Sequence, residues 1–158
     1  MCSSDLGGGF FMDTGSHLVA STLWMTGLQP AEVHVFMDRR GQKVDIDAAL
    51  NLRFANGALG SLHFTGSADR HDERLAIQGD AGCVVFHLHQ WGIRDVLLNG
   101  EPLVVPKRIG EDSPDAAFLR WMRGGQGYEE ADFALQVSRL TEAAYKSLDQ
   151  KRAVRVAR

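Results

Sequence analysis

Hydrophobic residues near the start of the chain recur at helical spacing. Between about Phe10 and Met25 the apolar side chains cover nearly every side of a helical wheel drawn at 100° per residue. Gly27 and Pro30 follow and predict the end of this helix. A helix that is apolar almost all round is typical of one buried between layers, and we expect this helix to be buried.

From about residue 31 to residue 105 the pattern changes to that of β-strands. The segment DIDAALNLRF, residues 45–54, alternates apolar and polar positions and predicts a half-buried strand. Asn56-Gly57 predicts a type I′ hairpin turn, which needs positive φ at both central positions, and residues 79–82 and Asn99-Gly100 predict two further turns. Strands that follow one another through short turns form an antiparallel sheet, with one apolar face and one mixed polar face.

Helical spacing returns in the last third of the chain. Ser113 and Pro114 predict the N-cap and the first residue of a short helix that runs to about Arg123. A longer helix is predicted from about residue 128 to residue 149, and the tail RAVRVAR is compatible with an edge strand. The sequence therefore predicts an α+β fold: one mainly antiparallel open-faced sheet, with the buried N-terminal helix and two C-terminal helices packed on one face.

Composition narrows the class of protein. The chain has 158 residues, 44% of them hydrophobic and 23% charged, which is typical of one globular domain. A net charge of -3 without a basic run among aromatic residues argues against a nucleic-acid partner. No apolar run reaches the roughly 18 residues of a membrane span and no signal-peptide layout is present, so we expect a soluble, cytoplasmic protein. Cys2 and Cys83 are expected to be free thiols.

Asp13 and His17 are the only ionisable residues of the N-terminal helix, and they lie one turn apart. Burying such a pair costs several kcal/mol without compensation, which suggests a use. A histidine titrates near neutrality, and a carboxylate one turn away can hold one tautomer, as a general acid/base requires. The structural alternative is a satisfied buried Asp-His pair, or a surface pair at a helix start. Gly15 lies between them, at a cost of roughly 1 kcal/mol in helix propensity, and indicates close approach of another backbone or a flat ligand.

Three glycines at residues 7–9 precede this helix. Exposed N–H groups at a helix N-terminus attract phosphate, yet neither GxGxxG after a strand nor GxxxxGK[ST] is present. We therefore interpret the glycines as a flexible approach to the helix.

Two histidines in the strand region could ligate a metal. His87 and His89 share one face of a predicted strand with Cys83, but no third strong ligand is adjacent. Surface or subunit-contact residues are the favoured interpretation, and no metal site is predicted. The large aromatic residues Trp91, Trp121 and Tyr145 are interpreted as core or interface packing.

The segment GGGFFMDTGSHLVASTLWMTG, residues 7–27, resembles the one that opens the C-terminal domain of Gfo/Idh/MocA-type oxidoreductases. A glycine-rich approach, an Asp, a His four residues later and a following Trp recur there. The resemblance continues through DIDAALNLRFANGALGSLHFTGSA, ERLAIQGDAGCVVF, FLRWMRGG and SRLTEAAYKSLDQKRAVRV, and so covers nearly the whole chain in order.

This resemblance implies a function and an architecture. The family joins an N-terminal Rossmann domain for NAD or NADP to a C-terminal domain whose open sheet commonly forms the oligomer interface. By position, His17 would be the general acid/base toward a hydroxyl or carbonyl of a sugar-like or polyol-like substrate, and Asp13 would orient it. Hydride would pass to or from the nicotinamide, and the protein would be a homo-oligomer through its open sheet face.

The sequence departs from the family pattern in two places. Ala20 stands where family members often carry a second Asp, which puts in doubt a polar network along the helix. The dinucleotide fingerprint and the catalytic Lys of an EKP-like motif belong to the family's N-terminal half and are absent. We therefore expect this chain to bind no NAD or NADP and to be inactive alone. Residues 1–6 resemble a translated sequencing-adaptor remnant, so we expect a non-native leader followed by the domain at residues 7–158 of a truncated protein.

Three functions remain open at this point. The first is oxidation or reduction of a hydroxyl or carbonyl compound by the parent enzyme. The second is NAD-assisted elimination, such as glycoside cleavage, in which the cofactor is regenerated within the cycle. The third is a non-enzymatic domain that pairs through its open sheet face.

Overall fold

The computed structural model of the chain describes residues 8–89, 92–104, 114–124 and 130–157. The chain divides into two compact units, residues 1–68 with 129–158, and residues 69–128. In chain order the elements are a π-helical segment Phe11–Gly15, α1 Ser16–Thr26, β1 Pro30–Asp38, β2 Asp47–Phe54, β3 Leu59–Thr65, β4 Glu73–Gly79, β5 Gly82–His89, β6 Gly92–Leu98, β7 Glu101–Pro102, α2 Pro114–Met122, α3 Glu130–Gln150 and β8 Val154–Arg155.

The first unit is built on a four-stranded antiparallel sheet in the order β3-β2-β1-β8. The predicted alternation of β2 is confirmed, because its buried side chains are every second residue from Ala48 to Phe54. Helix α3 packs on β1 and contacts α1. The buried side chains form one hydrophobic core, which includes Phe11, Val19 and Leu23 from the N-terminal helix and Leu140 and Ala144 from α3.

A hydroxyl links the end of α3 to this sheet. Ser147 is fully buried, and its Oγ donates to the carbonyl oxygen of Arg152 at 2.7 Å and accepts the Val35 amide at 3.2 Å. These bonds turn the chain back after α3, so that the predicted edge strand forms as β8 beside β1.

The second unit holds α2 and a second antiparallel sheet in the order β4-β5-β6-β7. Leu75, Val85 and Val96 are its buried apolar residues. The Asn99-Gly100 turn has positive φ at both residues, 54° and 88°, as predicted. The Ser113 cap proposed for the short helix lies outside the described residues.

The α+β class and the antiparallel pairing are confirmed, but the strands form two sheets and not one. Short turns fix which strands pair inside each sheet, whereas the connection between β3 and β4, residues 66–72, is long and polar and imposes no pairing of its neighbours. At Asn56-Gly57 the predicted hairpin is present, but only Gly57 has positive φ. The Phe54 amide donates to the carbonyl of Ala58, so the turn is a longer loop than the predicted type I′ turn.

The expectation of a fully buried N-terminal helix is wrong in part. One side of it is in the core, while Trp24 on another side is 73% exposed. Apolar residues on a helical wheel do not show which of them meet a neighbour, and only one side of this helix is in the core. Separately, no helix among the described residues is both long and apolar enough to span a membrane.

Thr22 offers a test of the packing of α1. Among the described residues, its buried hydroxyl has no hydrogen-bond partner, while the Thr26 hydroxyl donates to the Thr22 carbonyl at 2.7 Å and accepts the Leu28 amide. We expect Thr22→Val to raise the free energy of unfolding by about 1 kcal/mol, because an unsatisfied buried polar group is removed. The matched change Thr26→Val should lower it by about 1 kcal/mol. Urea denaturation of both variants measures this, and a loss of stability in Thr22→Val would contradict it.

Candidate active site

Asp13 and His17 lie on the exposed side of the N-terminal helix. Asp13 belongs to the π-helical segment and His17 is the second residue of α1. Both side chains are exposed, as in the alternative of a surface pair at a helix start, so the desolvation cost argued from the sequence does not arise. The reason is the phase of the helix: Phe11, Val19 and Leu23 occupy the side that faces the core. π-helical turns are rare and are frequent at functional sites.

The opposite side of this helix is held by aromatic rings. Phe11 is fully buried, and its ring centroid lies 5.4 Å from that of Phe64 and 5.6 Å from that of Tyr145. A Cβ on Gly15 would lie 2.7 Å from the Phe11 ring and 3.2 Å from the Phe64 ring. The close neighbours of Gly15 are therefore two core rings. The site residues are mounted on a helix whose inner side is tightly packed.

Asp45 is the residue that sequence reasoning missed. The alternation of residues 45–54 predicts a polar, exposed position for Asp45, but this residue precedes β2 and is only 6% exposed. Its carboxylate Oδ2 accepts the Phe11 amide at 2.8 Å, and its carbonyl oxygen accepts the Phe10 amide at 2.9 Å. A negative charge at a helix N-terminus is favourable because it meets unpaired N–H groups and the positive end of the helix dipole.

Tyr145 on α3 completes this arrangement. Its hydroxyl lies 2.7 Å from the Gly8 carbonyl oxygen and 2.9 Å from Asp45 Oδ1. Burial and then the Asp45 carboxylate raise the pKa of Tyr145 well above its usual value, so the phenol stays protonated and remains a donor at physiological pH. The sequence interpretation of Tyr145 as a packing residue therefore accounts for its ring but not for its hydroxyl.

The start of the helix does not fit a phosphate. Gly9 has a φ of 91°, and any Cβ there would overlap the Asp45 carboxylate. The N–H groups of Phe10 and Phe11, which a phosphate would need, already donate to Asp45. A second anion beside this carboxylate would be repelled, so these residues do not form the phosphate site of a dinucleotide. Gly8 and Gly9 serve close backbone packing and are not simply a flexible approach.

The two histidines of β5, His87 and His89, have different neighbours. The Nδ1 atom of His87 bonds to the Asp95 carboxylate, whereas His89 is exposed with its ring centroid 6.2 Å from that of His71. Arg94 and His87 hold the pKa of Asp95 below its usual range through hydrogen bonds. Within the part of the chain that the structure describes, no group of three or more His, Cys, Asp or Glu side chains is placed to hold a metal ion.

The three tryptophans lie in different parts of the chain. The ring of Trp121 in α2 has its centroid 5.8 Å from that of Phe118, in agreement with a packing role. Trp91 lies outside the described residues. Trp24 is seven residues after His17, on the same side of α1, and about 10 Å farther along the helix axis.

Comparison with known proteins gives one family. The model of the GFO/IDH/MocA C-terminal domain matches residues 2–85, which include Asp13, His17 and Asp45. A comparison with curated protein sequences finds no match.

Many solved structures share the fold. The WlbA dehydrogenase from Bordetella pertussis, in complex with NADH and UDP-GlcNAcA, is 21% identical with a TM-score of 0.74, over 96% of this chain and 46% of that one. The aldose-aldose oxidoreductase from Caulobacter crescentus, complexed with glycerol, is 22% identical with a TM-score of 0.76, over 94% and 48%. A levoglucosan dehydrogenase in complex with NADH is 20% identical with a TM-score of 0.69, over 92% and 49%. The chain spans about half the length of these structures.

Gly9 allows the close contact with Asp45 to be measured. We expect Gly9→Ala to be more destabilising than Gly57→Ala, because the two glycines have nearly the same φ, 91° and 90°, but Gly57 has open space around it. The unfavourable backbone conformation should cost each variant about 1 kcal/mol. The overlap with Asp45 should cost Gly9→Ala about 1–3 kcal/mol more. Thermal and urea unfolding of both variants measure the difference, and equal losses would show that the Asp45 contact is loose.

Proposed function

The chain belongs to the GFO/IDH/MocA family through its C-terminal domain, and we propose that residues 7–158 form the substrate-binding half of an NAD- or NADP-dependent oxidoreductase. The substrate would be a sugar, a polyol or a related hydroxyl or carbonyl compound. The observation that carries this proposal is the placement of Asp13 and His17, which are exposed to solvent on a helix whose other side is fixed in the core. A catalytic group on a rigid element holds its geometry while it stays accessible to substrate.

His17 is the residue to which we assign proton transfer. In the oxidation direction, the substrate hydroxyl loses its proton to a ring nitrogen of neutral His17 while the carbon bearing that hydroxyl loses a hydride and becomes a carbonyl. In the reduction direction, protonated His17 returns the proton to the alkoxide oxygen. Asp13, four residues earlier, would orient the imidazole and select its tautomer. A nicotinamide cofactor, when bound, supplies the chemistry of accepting or donating the hydride.

The sugar-like substrate class rests on the similar structures and on the shape of the exposed side of the helix. Their names include UDP-GlcNAcA, glycerol and levoglucosan dehydrogenase, all pointing to hydroxyl-rich molecules. In this chain, Trp24 provides a flat, exposed apolar surface about 10 Å along the helix from His17. Such a surface suits the apolar face of a sugar ring, and the exposed polar side chains of Asp13 and His17 suit its hydroxyls.

We assign cofactor binding to a dinucleotide-binding domain of the parent enzyme and not to this chain. The residues at the start of the N-terminal helix do not fit a phosphate, since Asp45 already accepts the N–H groups there. Activity is therefore proposed for the parent enzyme, and this chain alone is expected to be inactive.

Replacement of His17 tests the proposal. In the parent enzyme, we expect His17→Ala to lower kcat/KM by about 10²–10⁴-fold, because the general acid/base is lost. His71→Ala, which removes an exposed histidine of the second unit, is the matched control and should keep full activity. The assay is reduction of NAD or NADP with a panel of polyols and sugars. Unchanged activity in His17→Ala would refute the proposed role.

Redox-assisted elimination is a variant of the same proposal. It also needs a base at His17, but its product is an eliminated or cleaved sugar with no net change in the cofactor. Product analysis on the parent enzyme distinguishes the two reactions.

A second candidate function is association of copies through the open face of the first sheet. The face opposite the core carries a row of Phe36, Ala49 and His63, which are neighbours in register across β1, β2 and β3. Phe36 is 63% exposed, which leaves a large apolar surface on this face of β1. A homo-oligomer that buries this row would remove its apolar surface from water.

The oligomeric state tests this second candidate. We expect the chain to elute as an oligomer in size-exclusion chromatography with light scattering, and Phe36→Asp to shift it to the mass of a monomer, because a charge would enter the apolar contact. Phe118→Asp makes the same change at an exposed position of α2 and should leave the mass unaltered. A monomeric wild-type chain would exclude the interface.

A further inference from the structure

The first turn of the N-terminal helix lacks a cap from its own sequence. Phe10 occupies the N-cap position, and it makes no side-chain hydrogen bond to the helix. Asp, Asn, Ser or Thr would normally fill this position and accept an N–H group. The preceding Gly8 and Gly9 have no side chains to substitute. The start of this helix must therefore be held by a group from elsewhere in the chain.

Asp45, 34 residues later in the sequence, supplies that group. It accepts the Phe10 and Phe11 amides, the first through its main-chain carbonyl and the second through its carboxylate. The next contact of the turn is the Asp13 amide, which donates to the Gly9 carbonyl at 3.1 Å. Asp13 lies two residues beyond Phe11, within the turn that Asp45 holds, and His17 follows four residues after Asp13. Loss of the Asp45 contacts would let the turn that carries Asp13 fray.

Tyr145 in turn holds Asp45. The phenol reaches both Asp45 Oδ1 and the Gly8 carbonyl oxygen, and since it has a single proton, the two oxygens share it. The same ring packs against Phe11. Three segments meet at this point: the approach to the helix, the connection before β2, and α3. Tyr145 therefore links the start of the N-terminal helix to α3, the long helix of the first unit.

We infer that Asp45 and Tyr145 are positioning residues for the reacting pair, which they keep in place through the main chain of the first helical turn. This inference rests on the proposed function of Asp13 and His17. Neither group is proposed to touch a substrate: Asp45 is buried, and the hydroxyl of the half-buried Tyr145 already bonds to Asp45 and to the Gly8 carbonyl oxygen. Their contribution would be to geometry, where a displacement of about 1 Å can cost a factor of 10² in rate.

The experiment uses four variants of the parent enzyme together with this chain. Asp45→Ala removes the side-chain acceptor of the Phe11 amide and keeps the main-chain acceptor of the Phe10 amide. Asp45→Asn keeps one side-chain oxygen for the Phe11 amide, and Tyr145→Phe removes only the hydroxyl. Ser147→Ala is the matched control, because it deletes a buried hydroxyl of α3 whose hydrogen bonds are to the main chain of Val35 and Arg152 and not to the helix start. For each variant, kcat and KM are measured well below its unfolding temperature, and the exchange rate of the Phe11 amide is measured by NMR in this chain.

We expect Asp45→Ala to lower kcat by between about 10-fold and 10²-fold with little change in KM. Asp45→Asn and Tyr145→Phe should lose less, and exchange of the Phe11 amide should accelerate in the same order. Ser147→Ala should lose stability and yet keep kcat. If Asp45 had only a structural role, its variants would behave in the same way and would also keep kcat. If Asp45→Ala does not fold, Asp45→Asn and Tyr145→Phe carry the same comparison.

Two results would overturn the inference. One is full kcat in the Asp45 and Tyr145 variants while His17→Ala is inactive, which would leave the proposed function intact. The other is an equal loss of kcat in Ser147→Ala, which would show general destabilisation. Failure of the proposed function is recognised separately, because His17→Ala would then keep full activity.

Discussion

The buried carboxylate of Asp45 accepts the Phe11 amide at the start of the N-terminal helix, and most of the candidate site depends on this contact. The helix begins directly after two glycines and has no cap of its own, so its first N–H groups need an acceptor from a distant segment. Gly9 has no side chain and so leaves room for that acceptor, and the Tyr145 hydroxyl holds it by a hydrogen bond. One ionic group thereby joins three segments that are far apart in the sequence.

This arrangement divides the helix into two sides with different tasks. The inner side, with Phe11, Gly15 and Val19, is buried and closely packed. This packing fixes the position of the helix and its rotation about its own axis. The outer side carries Asp13, His17 and Trp24 in contact with solvent. A reactive histidine needs both conditions, since it must exchange protons with a bound molecule and keep a defined geometry.

The same carboxylate also prevents the glycine-rich segment before the helix from binding a phosphate. A helix N-terminus after glycines has the donors of a phosphate site, and in this chain those donors are already used. The chain belongs to the GFO/IDH/MocA family and spans about half of each similar structure, and we propose that substrate and cofactor are bound by different domains of the parent enzyme. The assignment of that activity to the parent enzyme remains our proposal.

Much of the local structure was determined by the sequence alone. Alternation of apolar residues predicted β2, the turn at Asn99-Gly100 followed from its residue types, and periodicity predicted the helices, because each of these depends on neighbours within a few positions. The spacing of Asp13 and His17 also identified the candidate pair. Three features depended on the tertiary structure: the burial of Asp45, the separation of the strands into two sheets, and the exposure of the pair itself. Each is decided by which distant segment lies opposite a residue, and a one-dimensional pattern does not contain that information.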